Sequence, residues 1–174
     1  MQQHCAKPFS VHKTKPLLRT CLGLSLLLIL FFAACGTRKS TNTAAARATE
    51  ALAHVKNKKL YRFINDWMGV PYKLGGLNQK GIDCSGFALL LQKEIYGKKL
   101  PRRSIEQAQV ISTKSMSRLR EGGLIFFAFG GQAIDQVGIY LNDVFFVHAS
   151  TTKGVVVDDL NFYQKYIKKT GELK

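Results

Sequence analysis

The sequence predicts an α+β fold, because apolar residues recur at helical spacing in the first half of the folded part and alternate in the second. Leu52, Val55, Leu60, Phe63, Ile64 and Trp67 fall at helical intervals. LIFFAF (124–129), QVGIYL (136–141), VFFVHAS (144–150) and GVVVDDL (154–160) read instead as short strands joined by Gly-Gly, Asn-Asp and Lys-Gly turns. N-terminal helices packed on a small antiparallel sheet follow from that order.

The first element in the chain lies outside this fold. Lys7, Lys13, Lys15 and Arg19 precede an uncharged apolar run, residues 22–34 (LGLSLLLILFFAA), which ends on small residues. That is the layout of a secretory signal. As a helix the run rises only about 20 Å, short of the roughly 30 Å hydrocarbon core of a bilayer, so a permanent span is the weaker reading. The following FAAC (32–35) resembles a bacterial lipobox, after which the cysteine is lipidated and becomes the new N-terminus. Phe32 departs from the box, which usually opens with Leu, Val or Ile. The alternative is an ordinary secretory signal with Cys35 incidental.

The chain therefore divides into a lipoprotein signal peptide (1–34), a lipidated N-terminus and tether (35–49), and one domain (50–174). Residues 36–49 (GTRKSTNTAAARAT) hold no large apolar side chain and read as a tether of about 50 Å when fully extended. The expected location is export, with a lipid anchor in a bacterial cell membrane and the domain facing the periplasm or cell wall. The membrane is thus one expected partner.

Within the domain a helix is expected over about residues 50–68, ended by Gly69. GVPYKLGGL then supplies Pro71, Gly75 and Gly76, which mark a tightly turned loop. The next helix begins at GIDCSGF (81–87), with Asp83 as N-cap and Cys84, Phe87, Ala88, Leu91 and Ile95 as one apolar stripe closed by Gly97. Ser104 with Gln107 forms a capping-box pattern that opens a short helix from Ile105 to about Ile111. After the four strands, the amphipathic stretch Asn161–Lys168 is a candidate last helix.

Charge narrows the partners. The chain carries a formal +15, and residues 35–174 hold 22 Lys and Arg against 11 Asp and Glu. Anionic lipid headgroups, nucleic acid and cell-wall carboxylates all suit such a balance. The basic residues are scattered and no nucleic-acid motif is present, so no nucleic-acid partner is expected and a solvated surface explains them.

Cysteine use gives a sharper result. Cys5 and Cys21 leave with the signal and Cys35 takes the lipid, so Cys84 stands alone. It has no disulfide partner and belongs to no redox or zinc C-x-x-C pair. No metal or organic cofactor is implied. A lone exported thiol is either an inert buried residue or a nucleophile. In the first turn of a helix it meets the positive end of the macrodipole and unpaired backbone N–H groups, which favour thiolate. The plain alternative is a small residue packed on the inner stripe.

WMGVPYKLGGLNQKGIDCSGFA (67–88), then LIFF, VGIYL and FFVHAS, resemble in that order the NlpC family of cell-wall peptidases. The resemblance covers roughly residues 60–160. It implies a papain-like fold, a Cys-His-polar triad and cleavage of peptidoglycan stem peptides, commonly between D-glutamate and a diamino acid. Stem peptides become the expected substrate. Cys84 takes the nucleophile's position, with helix N–H groups contributing to an oxyanion hole. By the same resemblance Tyr72 is expected to point its phenol at the site, and Asp83 and Ser85, which flank the nucleophile, to help hold the stem peptide's free amine. Asp83 also has the plain role of helix cap, and Tyr72 that of a loop aromatic. His148 falls at the third triad position, where the plain reading is a satisfied histidine on a strand.

Two positions depart from the family. Gln136 stands where the catalytic histidine precedes VGIY, and an amide takes no proton at neutral pH. Gly123 stands where relatives usually have Asp. If positions 136 and 148 are opposed neighbours on paired strands, their Cβ atoms lie about 5 Å apart on one face. His148 could then act as base with Gln136 orienting it, the reverse of the usual roles. Two classes stay open: a cysteine peptidase of the cell wall, or a catalytically impaired homologue that binds stem peptides or a partner hydrolase. Thiol acyl transfer on a related fold would use the same Cys84, but nothing distinctive supports it.

Overall fold

A computed structural model describes residues 39–174, of which Thr41–Lys174 form one compact unit. The proposed signal peptide and Cys35 lie outside the described residues. Among the described residues no helix is long and apolar enough to cross a membrane.

The chain enters through α1 (Lys39–Ala53) and α2 (Lys58–Trp67). The tether expected through residue 49 is therefore helical from Lys39, and the single helix expected over 50–68 is two. The alanines of AAARATEALA favour helix without needing a large apolar stripe. Ala48, Ala51 and Leu52 bury against the core. Asn57 makes the break, because its side chain accepts the Lys59 and Leu60 N–H groups at 3.0 and 3.2 Å and caps α2. Glu121 fastens the link by accepting the Lys56 and Asn57 N–H groups at 2.7 and 3.0 Å.

A two-stranded ribbon, β1 (Leu77–Asn78) and β2 (Gly81–Ile82), leads into α3 (Cys84–Tyr96). Gly97, at φ 66°, ends α3 in the left-handed conformation. α4 (Ser104–Val110) follows. Its N-cap is Arg103, not Ser104, and Glu106 rather than Gln107 reaches back to the cap N–H. Gln107 turns inward, donating from Nε2 to the Ser85 and Pro101 carbonyls at 2.9 Å each. It thus holds α4 against the start of α3.

The main sheet is antiparallel, formed by β3 (Ile111–Thr113), β4 (Leu124–Phe127), β5 (Gln136–Tyr140), β6 (Phe145–Ser150), β7 (Gly154–Asp159) and β8 (Ile167–Leu173). Its spatial order is β3-β8-β4-β5-β6-β7. β4 to β7 fall where the alternation places them. β8 occupies part of the expected last helix, and two 3₁₀ turns, Leu160–Phe162 and Gln164–Tyr166, precede it.

Both faces of the sheet are buried. Leu124, Phe126, Val137, Ile139 and Val147 meet Phe87 and Leu91 of α3, while Ile125, Phe127, Tyr140 and Phe146 form a second cluster behind, with Leu119 and Leu160. Successive strand residues point to opposite faces, so these two clusters also fix where the polar residues of β5 and β6 can go. Papain-like α+β architecture of this kind sets the start of α3 beside the start of β5.

Candidate active site

Cys84 opens α3 and is 7% exposed. Asp83 caps the helix by accepting the Gly86 N–H at 2.7 Å. Gly86 must be glycine for steric reasons, since a Cβ there would come within 2.7 Å of the Gly76 carbonyl oxygen. That close approach brings the 72–77 loop over the thiol.

Asp83 does more than cap. Its Oδ1 also accepts from Ser85 Oγ at 3.1 Å and from Arg102 at 2.8 Å, and its Oδ2 accepts from the Gly75 N–H at 2.7 Å and from Arg102 at 2.6 Å. Five donors fill the roughly four acceptor positions of a carboxylate. Burial pushes the Asp83 carboxyl up, but Arg102 and the Gly86 and Gly75 N–H groups outweigh it and hold the group below its ordinary value. Arg102 also donates to Ser85 Oγ at 2.9 Å, so Asp83 and Ser85 share one guanidinium partner. Nothing in the sequence singles out Arg102, which lies 19 residues from Asp83.

The thiol does not follow the simple dipole expectation. Burial pushes Cys84 up, and the Asp83 charge adds to this, against hydrogen bonds from the Val137, Ser85 and Cys84 N–H groups. The net direction is upward, toward thiol. Tyr72 is half-buried beside it, its phenol likewise pushed up, first by burial and then by the Cys84 and Asp83 charges, with Arg102 opposing.

Gln136 and His148 lie on the face opposite Val137 and Val147, where the His148 ring stacks on Phe146 with centroids 4.8 Å apart. The register pairs Ile139 with Val147 and Tyr140 with Phe146. Continued along the strands, it sets Gly138 opposite His148, so positions 136 and 148 are diagonal neighbours and not opposed. A diagonal pair is still within reach of a long side chain. Gly138 leaves the room, since a Cβ there would come within 2.5 Å of the Phe146 ring.

Gln136 Nε2 meets His148 Nδ1 at 3.1 Å and the Ala149 carbonyl at 3.2 Å. The carbonyl can only accept, so the amide nitrogen must face it. Its second hydrogen then points at Nδ1, which must be bare. The proton sits on Nε2, and that nitrogen donates to Asp158 Oδ2 at 3.1 Å. Tyr163 Oη donates to the same oxygen at 2.7 Å, and Lys153 Nζ lies 3.5 Å from Oδ1. Burial pushes Asp158 up, but the hydrogen bonds from His148 and Tyr163 win and hold it at about 2.

Two adjoining cavities open here. One, about 360 Å³, is lined by Cys84, Asp83, Ser85 and Arg102; the other, about 390 Å³, by Gln136, His148 and Tyr163. Tyr72 and Asp135 line both. The six residues named from sequence are thus brought together, though no hydrogen bond joins Cys84 to the side chain of Gln136 or His148 among the described residues. Asp158, Tyr163 and Arg102 complete the surroundings. Asp158 lies near the end of β7 and Tyr163 between the two 3₁₀ turns, in sequences that carry no motif.

Known proteins resemble the chain over this region. Murein DD-endopeptidase MepS/murein LD-carboxypeptidase of Escherichia coli is 45% identical over 104 residues, 60% of this chain and 54% of its own length. This chain therefore spans about half of that relative. Probable endopeptidase NlpC of the same species is 34% identical over 151 residues, 85% of this chain and 95% of that protein. A crystal structure of an NlpC/P60 family protein from Bacillus cereus aligns with a TM-score of 0.60 and 27% identity, over 66% of this chain and 39% of that one. The NlpC/P60 family model matches residues 69–171, from the loop over the thiol to the last strand, and the chain belongs to that family.

Proposed function

We propose that the chain is a cell-wall hydrolase, a cysteine endopeptidase acting on peptidoglycan stem peptides, with the bond between D-glutamate and a diamino acid as its expected target. The observation that carries this reading is the seam at residues 136 and 137. The Val137 N–H lies close enough to the Cys84 sulfur to favour its thiolate, while the adjacent Gln136 side chain bonds the His148 imidazole. Nucleophile and base therefore flank a single pair of residues.

In this mechanism Cys84 attacks the scissile carbonyl and the N–H groups at the start of α3 receive the developing oxyanion. His148 accepts the thiol proton at Nδ1 after the Gln136 amide turns aside, then returns it to the leaving amine. Tyr72 and the Asp83–Ser85–Arg102 cluster line the same cavity as Cys84 and border the space the substrate would take. Because the Asp83 carboxylate is already filled, a free amine would have to displace one of its present donors. The murein endopeptidase name of one relative supports the substrate class, and the endopeptidase name of the other supports the reaction.

One observation favours the impaired, binding-only alternative: at rest Nδ1 is covered by Gln136, and Cys84 is biased toward thiol. Cleavage of purified muropeptides, read by mass, separates the two. Products from the natural chain that disappear with Cys84→Ala support the peptidase. Products only from Gln136→His support a binding groove whose catalysis was lost at one residue.

Export and a lipid anchor at Cys35 belong to the same reading. Metabolic labelling with a radioactive fatty acid should mark the natural chain in a bacterial host and not Cys35→Ala. Equal labelling of both would overturn the anchor.

A further inference from the structure

We propose that Asp158 is a positioning residue of this site, holding His148 in the tautomer whose bare Nδ1 faces residue 136, with Tyr163 fixing the carboxylate. This inference rests on the peptidase reading only for its consequence in catalysis; the tautomer itself does not depend on turnover.

Four contacts in series carry it. The Ala149 carbonyl fixes the Gln136 amide, the amide fixes a bare Nδ1, and Nε2–H is left with Asp158 Oδ2 at 3.1 Å as its acceptor. Tyr163 Oη holds that same oxygen from the other side at 2.7 Å. The ring has no freedom to turn away, because it is 4% exposed and packed between Phe146 and Tyr163, with centroids at 4.8 and 6.0 Å.

The chemistry follows from the two nitrogens being distinct. Without an acceptor at Nε2, the proton can move to Nδ1, which would then oppose the Gln136 N–H. With Asp158 in place, the lone pair points toward the seam beside Cys84. The same arrangement suits an imidazole at position 136, whose ring N–H would donate to Nδ1 as the Gln136 amide does. Asp158 therefore extends the polar chain to Gln136–His148–Asp158–Tyr163, and its β7 position explains why no motif around Cys84 includes it.

The test is nitrogen-15 NMR of the imidazoles in the full chain, the His148 signals being identified by their loss in His148→Gln. The natural chain should show a bare Nδ1 and a protonated Nε2. Asp158→Leu, similar in size and without an acceptor, should shift the population toward Nδ1–H, and Tyr163→Phe should shift it less. In a Gln136→His background, Asp158→Leu should lower kcat by about tenfold with KM nearly unchanged, less than the roughly 10²- to 10⁴-fold lost when a general base is removed outright. A protonated Nδ1 in the natural chain, or an unchanged tautomer in a folded Asp158→Leu, would overturn the proposal. Absence of turnover in every variant would sink the peptidase reading while leaving the tautomer result to decide this one.

Discussion

Gln136 and His148 are joined by a 3.1 Å hydrogen bond from the amide Nε2 to Nδ1, although the strand register sets them diagonally and not face to face. The bond has a fixed polarity. Since the amide also donates to the Ala149 carbonyl, it presents N–H to the ring and cannot receive a proton from Cys84. Gln136 thus reproduces the hydrogen bond of an imidazole N–H without its basicity.

Replacing that one residue should therefore change rate more than structure. Because His148 reaches Cys84 only after the Gln136 amide turns aside, Gln136→His is expected to raise kcat/KM on muropeptides by about tenfold, less than the roughly 10²- to 10⁴-fold of a base supplied where none exists. Urea unfolding of the same variant should move little. A variant that folds normally but cleaves no faster would mean that position 136 does not limit the reaction.

Cys84 should react slowly with iodoacetamide at neutral pH. Burial and the Asp83 charge outweigh the helix and Val137 N–H groups, so the thiol persists above its ordinary range. The alkylation rate should keep rising into alkaline pH. A rate already on its plateau near pH 7 would show that the helix N-terminus wins after all.

Asp158 should leave a signature in acid. Its carboxyl is lowered from 3.8 to about 2, so its stabilisation is complete well above 3.8 and is lost as pH falls through about 2. Asp158→Asn should be less stable than the natural chain at pH 5–7, and the two unfolding curves should converge toward pH 2. Parallel curves across that window would assign the lowering to something other than native-state contacts.

Arg102 joins the Asp83 cap, Ser85 and the Gly76 carbonyl. Arg102→Met keeps the length of the side chain and removes the charge, stranding the largely buried carboxylate. A loss of about 1–2 kcal/mol is expected, less than for a fully buried pair because Arg102 is a third exposed. Chemical denaturation measures it, and a neutral result would mean that Gly75 and Gly86 suffice to hold Asp83.

The parts of this fold that could be read in advance are those with local causes. Asp83 before an apolar stripe gave the start of α3, and the alternating runs gave β4 to β7, because cap chemistry and side-chain period act over a few residues. β8 was hidden because Lys168, Lys169 and Glu172 break its apolar pattern; its place depends on backbone pairing with β3 and β4. α1 was hidden because alanine supplies helix propensity without a broad apolar stripe. The site divides the same way. Cys84, Tyr72 and His148 lie in motifs, whereas Arg102 reaches Asp83 across 19 residues and Asp158 reaches His148 from a neighbouring strand. Those partnerships are set by tertiary packing, and so is the balance that pushes Cys84 toward thiol instead of thiolate.

The decisive measurement is muropeptide cleavage by the natural chain, with Cys84→Ala and His148→Ala run beside it. If His148 serves Cys84 as base, the natural chain releases products and both variants release none. Cleavage that survives His148→Ala would contradict that role, and no cleavage by the natural chain would contradict the peptidase itself.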